Sequence, residues 1–205
     1  VTDEAGTVVQ YIGVQNDVTA RVAAQRALVQ ERDRARSYLA RIEQLAFTDP
    51  LTGLPNRRRL EEQVERLLLE AQLAGTAVAV LFVDLDGFKA VNDRHGHAAG
   101  DDLLVTVAQR LRGRLRRGDL LARLGGDEFL VVLAGLDPVS AGAEAAQVAE
   151  GLRDALREPV EVRGERARVA ASVGIATSAT DGEDFAALLH AADERMYAAK
   201  GAAVR

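Results

Sequence analysis

The sequence has no cysteine, no tryptophan, only four prolines, and aromatic residues at 4%. Without cysteine there can be no structural disulfide and no thiolate zinc site. With so few aromatics, Ala, Val and Leu must fill most of the core. Long hydrophobic runs are also missing: the longest unbroken apolar stretch, residues 77–83, is far too short to span a bilayer. No basic, apolar, small-residue pattern opens the chain, so no signal peptide is read there. A cytoplasmic location fits these absences. Positive charge is not in excess either. The formal net charge is −5, which argues against a broad nucleic-acid-binding face. A phosphate-bearing substrate would need local positive charge, from metal ions and a few Lys or Arg side chains.

What is present is the balance of a folded protein. The 205 residues are 48% apolar and 28% charged, enough for one well-buried domain and some additional structure. Three sections are expected. Residues 1–16 read as a strand with turn residues. A lone strand is not stable, so the sequence reads as a fragment that follows an upstream domain. Residues 17–46 read as one long helix: no Gly or Pro occurs between Gly13 and Pro50, and Ala, Arg, Gln, Leu and Glu dominate. Asp17 is its expected N-cap. One heptad frame aligns Leu28, Ala35 and Ile42 with Ala24, Tyr38 and Leu45. A second aligns Val18, Val22, Val29, Leu39 and Ala46. Glu31 interrupts the first frame, and Gln25, Arg32 and Arg36 interrupt the second. The pattern fits either a helical linker or a parallel two-helix coiled coil whose seam is imperfect.

Residues 47–205 read as alternating helices and strands. Asn56 should cap a helix over 57–73, followed by a buried strand over 77–84. A helix is expected over 101–117. Short strands over 120–124 and 129–133 flank Gly125-Gly126-Asp127-Glu128, a hairpin signal. A helix over 138–157, strands over 159–162 and 167–177 around Gly164, and a helix over 184–200 complete the order. This arrangement suits an α+β fold with a mainly antiparallel sheet backed by helices.

Chemistry concentrates at two places. The central apolar strand ends in Asp84 and Asp86, whose side chains lie on one face. The hairpin tip adds Asp127 and Glu128. If the two strands are neighbours, Asp84 meets Asp127 or Glu128 at one sheet end. Clustered carboxylates repel one another, and such a cluster holds a divalent cation or carries raised pKa values. Oxygen ligands favour Mg²⁺ or Mn²⁺. Gly125 and Gly126 permit positive φ and close ligand approach. No Gly-Lys-Ser/Thr follows, so the tip is not a P-loop. Beyond the strand, residues 89–101 read as a polar loop. There Asn92 offers an amide and Asp101 a carboxylate, groups able to read a guanine edge. His95 and His97 read as turn residues rather than metal ligands.

Together these segments identify a family. Asp84-x-Asp86-x-Phe88-Lys89-x-x-Asn92-Asp93, His97, Gly100-Asp101 and Arg123-Leu-Gly-Gly-Asp-Glu-Phe129 resemble the signature of GGDEF-domain diguanylate cyclases. The opening Asp49-Pro-Leu-Thr-Gly-Leu-Pro-Asn-Arg57, Ser172-Val-Gly-Ile-Ala176 and Ala192-Asp-Glu-Arg-Met-Tyr-Ala-Ala-Lys200 resemble it too. The resemblance covers residues 48–201. It implies a fold like the palm of nucleotide cyclases and polymerases. It also implies two Mg²⁺ (or Mn²⁺) per half-site, on Asp84, the Leu85 carbonyl and Asp127. Glu128 would act with Asp127 in the catalytic turn. Asn92 and Asp101 would hold guanine, and Lys89 and Lys200 would contact phosphates. Two GTP molecules, one per subunit of a homodimer, would be condensed into cyclic di-GMP. Arg116 and Asp119 resemble the family's inhibitory Arg-x-x-Asp, at which the product acts as feedback. One departure stands out: the family's Arg after the matching Lys is Val204 here, with Arg205 one place on. The alternative is a degenerate domain that binds GTP or cyclic di-GMP without turnover. Residues 11–19 are similar to the close of a PAS or LOV sensor domain. No flavin is expected on this fragment, since the pocket would lie upstream.

Overall fold

The computed structural model describes residues 4–7 and 19–203. Most of the strand section expected over 1–16, and the Asp17 cap, therefore lie outside the described residues. The chain divides into two compact units, Val1–Glu43 and Gln44–Arg205. A long helix, α1, spans Thr19–Phe47. It exposes Val22, Leu28, Val29 and Tyr38. None of the described helices is long and apolar enough to cross a membrane.

The second unit is built on β1 (Ala77–Asp86). Its first nine residues are buried, because helices cover both sides of the sheet. Successive side chains point to opposite faces. Ala79, Leu81, Val83 and Leu85 pack with α4 (His97–Arg112) and α5 (Ala141–Arg157), through Leu103, Val107 and Leu152. Val78, Val80 and Phe82 pack with α2 (Arg57–Ala74) and α6 (Phe185–Ala203), through Leu60, Val64, Leu188 and Met196. The four-stranded sheet has the order β2-β3-β1-β6, with β2 (Leu120–Gly125), β3 (Glu128–Leu136) and β6 (Ala170–Thr177). Every pairing in it is antiparallel. This is the α+β architecture expected from the sequence.

Local chemistry explains the boundaries. Asn56 caps α2 by accepting from the Arg59 amide at 3.1 Å, as anticipated. Three expectations need correction. Residues 89–101 are not a loop. They form α3 (Phe88–His95) and the start of α4, hinged at Gly96, so His95 and His97 sit at helix ends. The helix expected over 101–117 stops at Arg112, because Gly113 closes it and the Arg116–Asp119 turn follows. The expected strand over 167–177 is two strands. β4 (Val160–Val162) and β5 (Glu165–Ala167) form a separate two-stranded hairpin around Arg163 and Gly164, both at positive φ, and only Ala170–Thr177 joins the main sheet.

Helix α6 lies close against β6 because Gly174 has no side chain; a Cβ there would collide with the Ala192 carbonyl and the Met196 amide. The loop joining β6 to α6 is fixed by an ion pair. Arg195 donates to both oxygens of Asp181, at 2.9 and 2.6 Å, and Asp181 accepts the Thr177 amide at 2.8 Å. The Arg195 hydrogen bonds lower the Asp181 pKa to about 2. A depressed carboxylate stabilises the fold above its unfolded pKa, and that contribution disappears as pH falls through the folded value. Wild-type protein should lose ~1–2 kcal/mol between about pH 4 and pH 2 from this group, a range discounted for the half-exposed guanidinium. Asp181→Asn should flatten that part of the curve in denaturant titrations. An unchanged slope would discard the assignment.

Candidate active site

The parity of β1 decides where its acids point. Asp84 and Asp86 share the face of Val80 and Phe82, the side covered by α2 and α6. Asp84 lies directly across from Glu128 on β3 and from Ser172 on β6. The Leu85 amide donates to the Asp127 carbonyl at 3.3 Å, which ties the hairpin tip to the strand end. Asp84, Asp127 and Glu128 are thus brought together within one subunit, as the sequence pattern anticipated. Asp84 is only 8% exposed. Leu85 has its side chain in the opposite core. Gly125 and Gly126, both at positive φ, make the turn between β2 and β3.

Charge at this sheet end is strongly negative. Burial raises the Glu128 pKa, and repulsion from Asp84, Asp127 and Asp193 raises it further; Arg57 opposes. A cation already answers part of this charge. Lys200, from the last turn of α6, places Nζ 2.6 Å from Asp84 Oδ1. That hydrogen bond, together with Asp84, Asp86 and Asp127, raises the lysine pKa. Asp86 accepts from the Ser172 hydroxyl at 2.8 Å. Among the described residues, no three Asp, Glu or His side chains converge as a ready metal cage. One carboxylate from the end of β1 and one from the neighbouring hairpin tip, plus a main-chain carbonyl, still fit Mg²⁺, which takes one or two carboxylates and completes its shell with substrate phosphates.

The other expected residues divide into two groups. Asn92 on α3 packs onto Gly100 on α4, filling the space a Cβ would need, and its Oδ1 is buried without a partner. An unpaired buried amide costs about 1–3 kcal/mol, and Asp101, next to Gly100, stands exposed beside it. Lys89 is exposed in the first turn of α3, immediately beyond the end of β1. Arg116 and Asp119 lie elsewhere, before β2 at the end remote from the hairpin tip. Asp119 is buried and accepts from Arg116 Nε at 2.9 Å and from the Arg116 amide at 3.1 Å. The same guanidinium donates to the Ala134 carbonyl at 2.7 Å. Val204 and Arg205 lie outside the described residues.

Sequence reasoning missed a clamp on the hairpin. Arg123 donates to both oxygens of Asp49, at 3.0 and 3.1 Å, and through Nε and Nη2 to the Gly126 carbonyl, at 3.0 and 2.8 Å. Its amide also donates to Pro55 at 3.0 Å. Burial pushes the Asp49 pKa up, but hydrogen bonds from Thr52 and Arg123 outweigh it and leave it lowered. One signal was available: Arg123 and Asp49 both fall inside the quoted motifs, yet nothing in linear sequence pairs them.

Comparison with known proteins agrees with this geometry. The family model described as "Diguanylate cyclase, GGDEF domain" matches residues 46–204. The diguanylate cyclase TpbB of Pseudomonas aeruginosa is 46% identical over 156 residues, 76% of this chain and 35% of that protein. The chain thus spans about a third of the length of that curated relative. The solved GGDEF domain of TpbB has a TM-score of 0.71 at 45% identity, covering 75% of this chain and 88% of that one. The coiled coil and GGDEF domain of DgcB from Caulobacter crescentus, solved with c-di-GMP, has a TM-score of 0.77 at 26% identity, covering 91% of this chain and 96% of that one.

Proposed function

The chain belongs to the diguanylate cyclase GGDEF-domain family, and from that premise we propose that it condenses two GTP molecules into cyclic di-GMP and two pyrophosphates. The observation that carries this is the β1–β3 register, which sets Asp84 against Glu128 and ties Leu85 to Asp127. Asp84, the Leu85 carbonyl and Asp127 would hold Mg²⁺ or Mn²⁺. When bound, the metal lowers the pKa of a hydroxyl nucleophile and stabilises charge on phosphate.

The chain's own residues supply position and charge. Asn92, with its unpaired amide oxygen, and Asp101 bind guanine. Lys89 and Lys200 meet the phosphates. Glu128, with its raised pKa, sits in the catalytic turn and serves proton handling. One domain holds one GTP and provides half the site. In a homodimer, each 3′-hydroxyl attacks the α-phosphate of the opposite GTP and pyrophosphate leaves. Catalysis of this kind is mostly positioning and electrostatics, so control amounts to control of how two domains face each other. The exposed apolar residues of α1 support a coiled-coil linker that carries such control from an upstream sensor. Incubation with GTP and Mg²⁺, followed by chromatography, tests the activity: cyclic di-GMP is expected, and binding without product would favour the receptor reading.

Feedback is assigned to Arg116 and Asp119. The exposed Arg116 fork suits a phosphate or guanine edge, and in the structure it engages Asp119 and the Ala134 carbonyl. Arg116→Ala is expected to relieve inhibition by added cyclic di-GMP while the initial rate stays unchanged. Inhibition that persists at full strength would remove this site from the account.

A further inference from the structure

Lys200 is not where a phosphate-binding lysine would wait. Its ammonium lies on Asp84, the buried acid at the centre of the site. We propose that Lys200 is a place-holding cation: it occupies Asp84 while the nucleotide is absent and leaves when a triphosphate draws it away, so that metal binds after nucleotide. The inference rests on the cyclase reading of this site.

Four observations carry it. A buried carboxylate is costly unless it is paired, and among the described residues Lys200 is the cation that pairs with Asp84. Another cation, Arg57, acts on Glu128. Among the described residues no three acids form a ready cage, and Asp84, one of the proposed ligands, is already engaged by Lys200. Phosphate oxygens supply the missing ligands of Mg²⁺ sites. Finally, Lys200 is free to move. Its side chain is 41% exposed on the last turn of α6, and its flexible stem lets the ammonium swing without shifting the helix. A triphosphate offers the lysine a stronger partner while delivering the oxygens that the metal needs. The exchange keeps Asp84 neutralised at every stage.

The test is Mn²⁺ titration of the whole chain, followed by the electron paramagnetic resonance signal of free Mn²⁺. Without nucleotide, Lys200→Met should bind Mn²⁺ about tenfold more tightly than wild type, because a competing charge at contact distance is gone. Lys200→Arg should behave like wild type. Arg57→Met removes an equal charge that does not touch Asp84, and its shift should be much smaller. With 3′-deoxy-GTP, which lacks the attacking hydroxyl, the advantage of Lys200→Met should vanish. Equal or weaker Mn²⁺ binding by Lys200→Met, or an equally large shift in Arg57→Met, overturns the proposal. Product formation from GTP by wild type, measured in parallel, separates the two ideas. Product without the Mn²⁺ difference removes only the place-holder, whereas absence of product strikes the cyclase reading.

Discussion

Asp84→Asn is expected to lower cyclic di-GMP formation by about three orders of magnitude or more, since loss of a metal ligand removes several kcal/mol of transition-state stabilisation. The amide keeps the volume of the carboxylate and removes its charge. Lys200 loses its partner, but its half-exposed ammonium turns to water, so stability should change by only about 1 kcal/mol. Activity and stability therefore separate. Asp127→Asn should behave in the same way, because its side chain leaves the tip whose carbonyl is tied to Leu85. Turnover is measured by product chromatography and stability by thermal unfolding. An Asp84→Asn protein that keeps a tenth of wild-type turnover would remove the acid from the metal-ligand set.

The second large effect is expected at a residue that touches no substrate. Arg123→Ala should reduce turnover about 100-fold, the scale on which small misplacements near reacting groups act. It should also destabilise the fold by about 3 kcal/mol, because the largely buried Asp49 would lose its ion-pair partner and keep only its hydrogen bonds from Thr52. Arg123 ties the turn after α1 to the Gly126 carbonyl, one residue before Asp127. Arg123→Lys restores charge but not the fork that engages both Asp49 and Gly126, and should recover stability more than rate. Equal recovery of both would show that charge alone is at work and that the hairpin needs no positioning.

Much of this arrangement was legible in the linear sequence because its causes are local. Asn56 caps α2 through its own third-following amide. The abrupt change from Val83 to Asp84 marks the functional end of β1, and Gly125-Gly126 marks the hairpin. Asn92 and Asp101 were singled out for their side-chain chemistry, although their segment was read as a loop. Helix α3 was not anticipated, and α4 was expected to begin only at Asp101. Gly87 and Gly96 delimit α3, whereas Gly100 lies inside α4 and gives Asn92 its room.

What sequence could not supply were pairings between distant segments. Lys200 meets Asp84 across 116 positions, and Arg123 meets Asp49 across 74. The first depends on strand parity and on how closely α6 approaches the sheet at Gly174; the second depends on the segment before α2 lying against β2, where the Arg123 amide donates to the Pro55 carbonyl. The split of residues 167–177 had a similar origin. β-branched and small residues continue through the run, but the hairpin at Arg163 and Gly164 turns the first part away from the main sheet.

The measurement that tests the central claim most directly is the initial rate of cyclic di-GMP formation from GTP and Mg²⁺, followed over serial dilution of the protein beside Asp84→Asn. Two half-sites that must meet predict a rate per molecule that rises with protein concentration, and a flat, near-zero line for the variant. No product at any concentration, or a variant as active as wild type, would contradict the account.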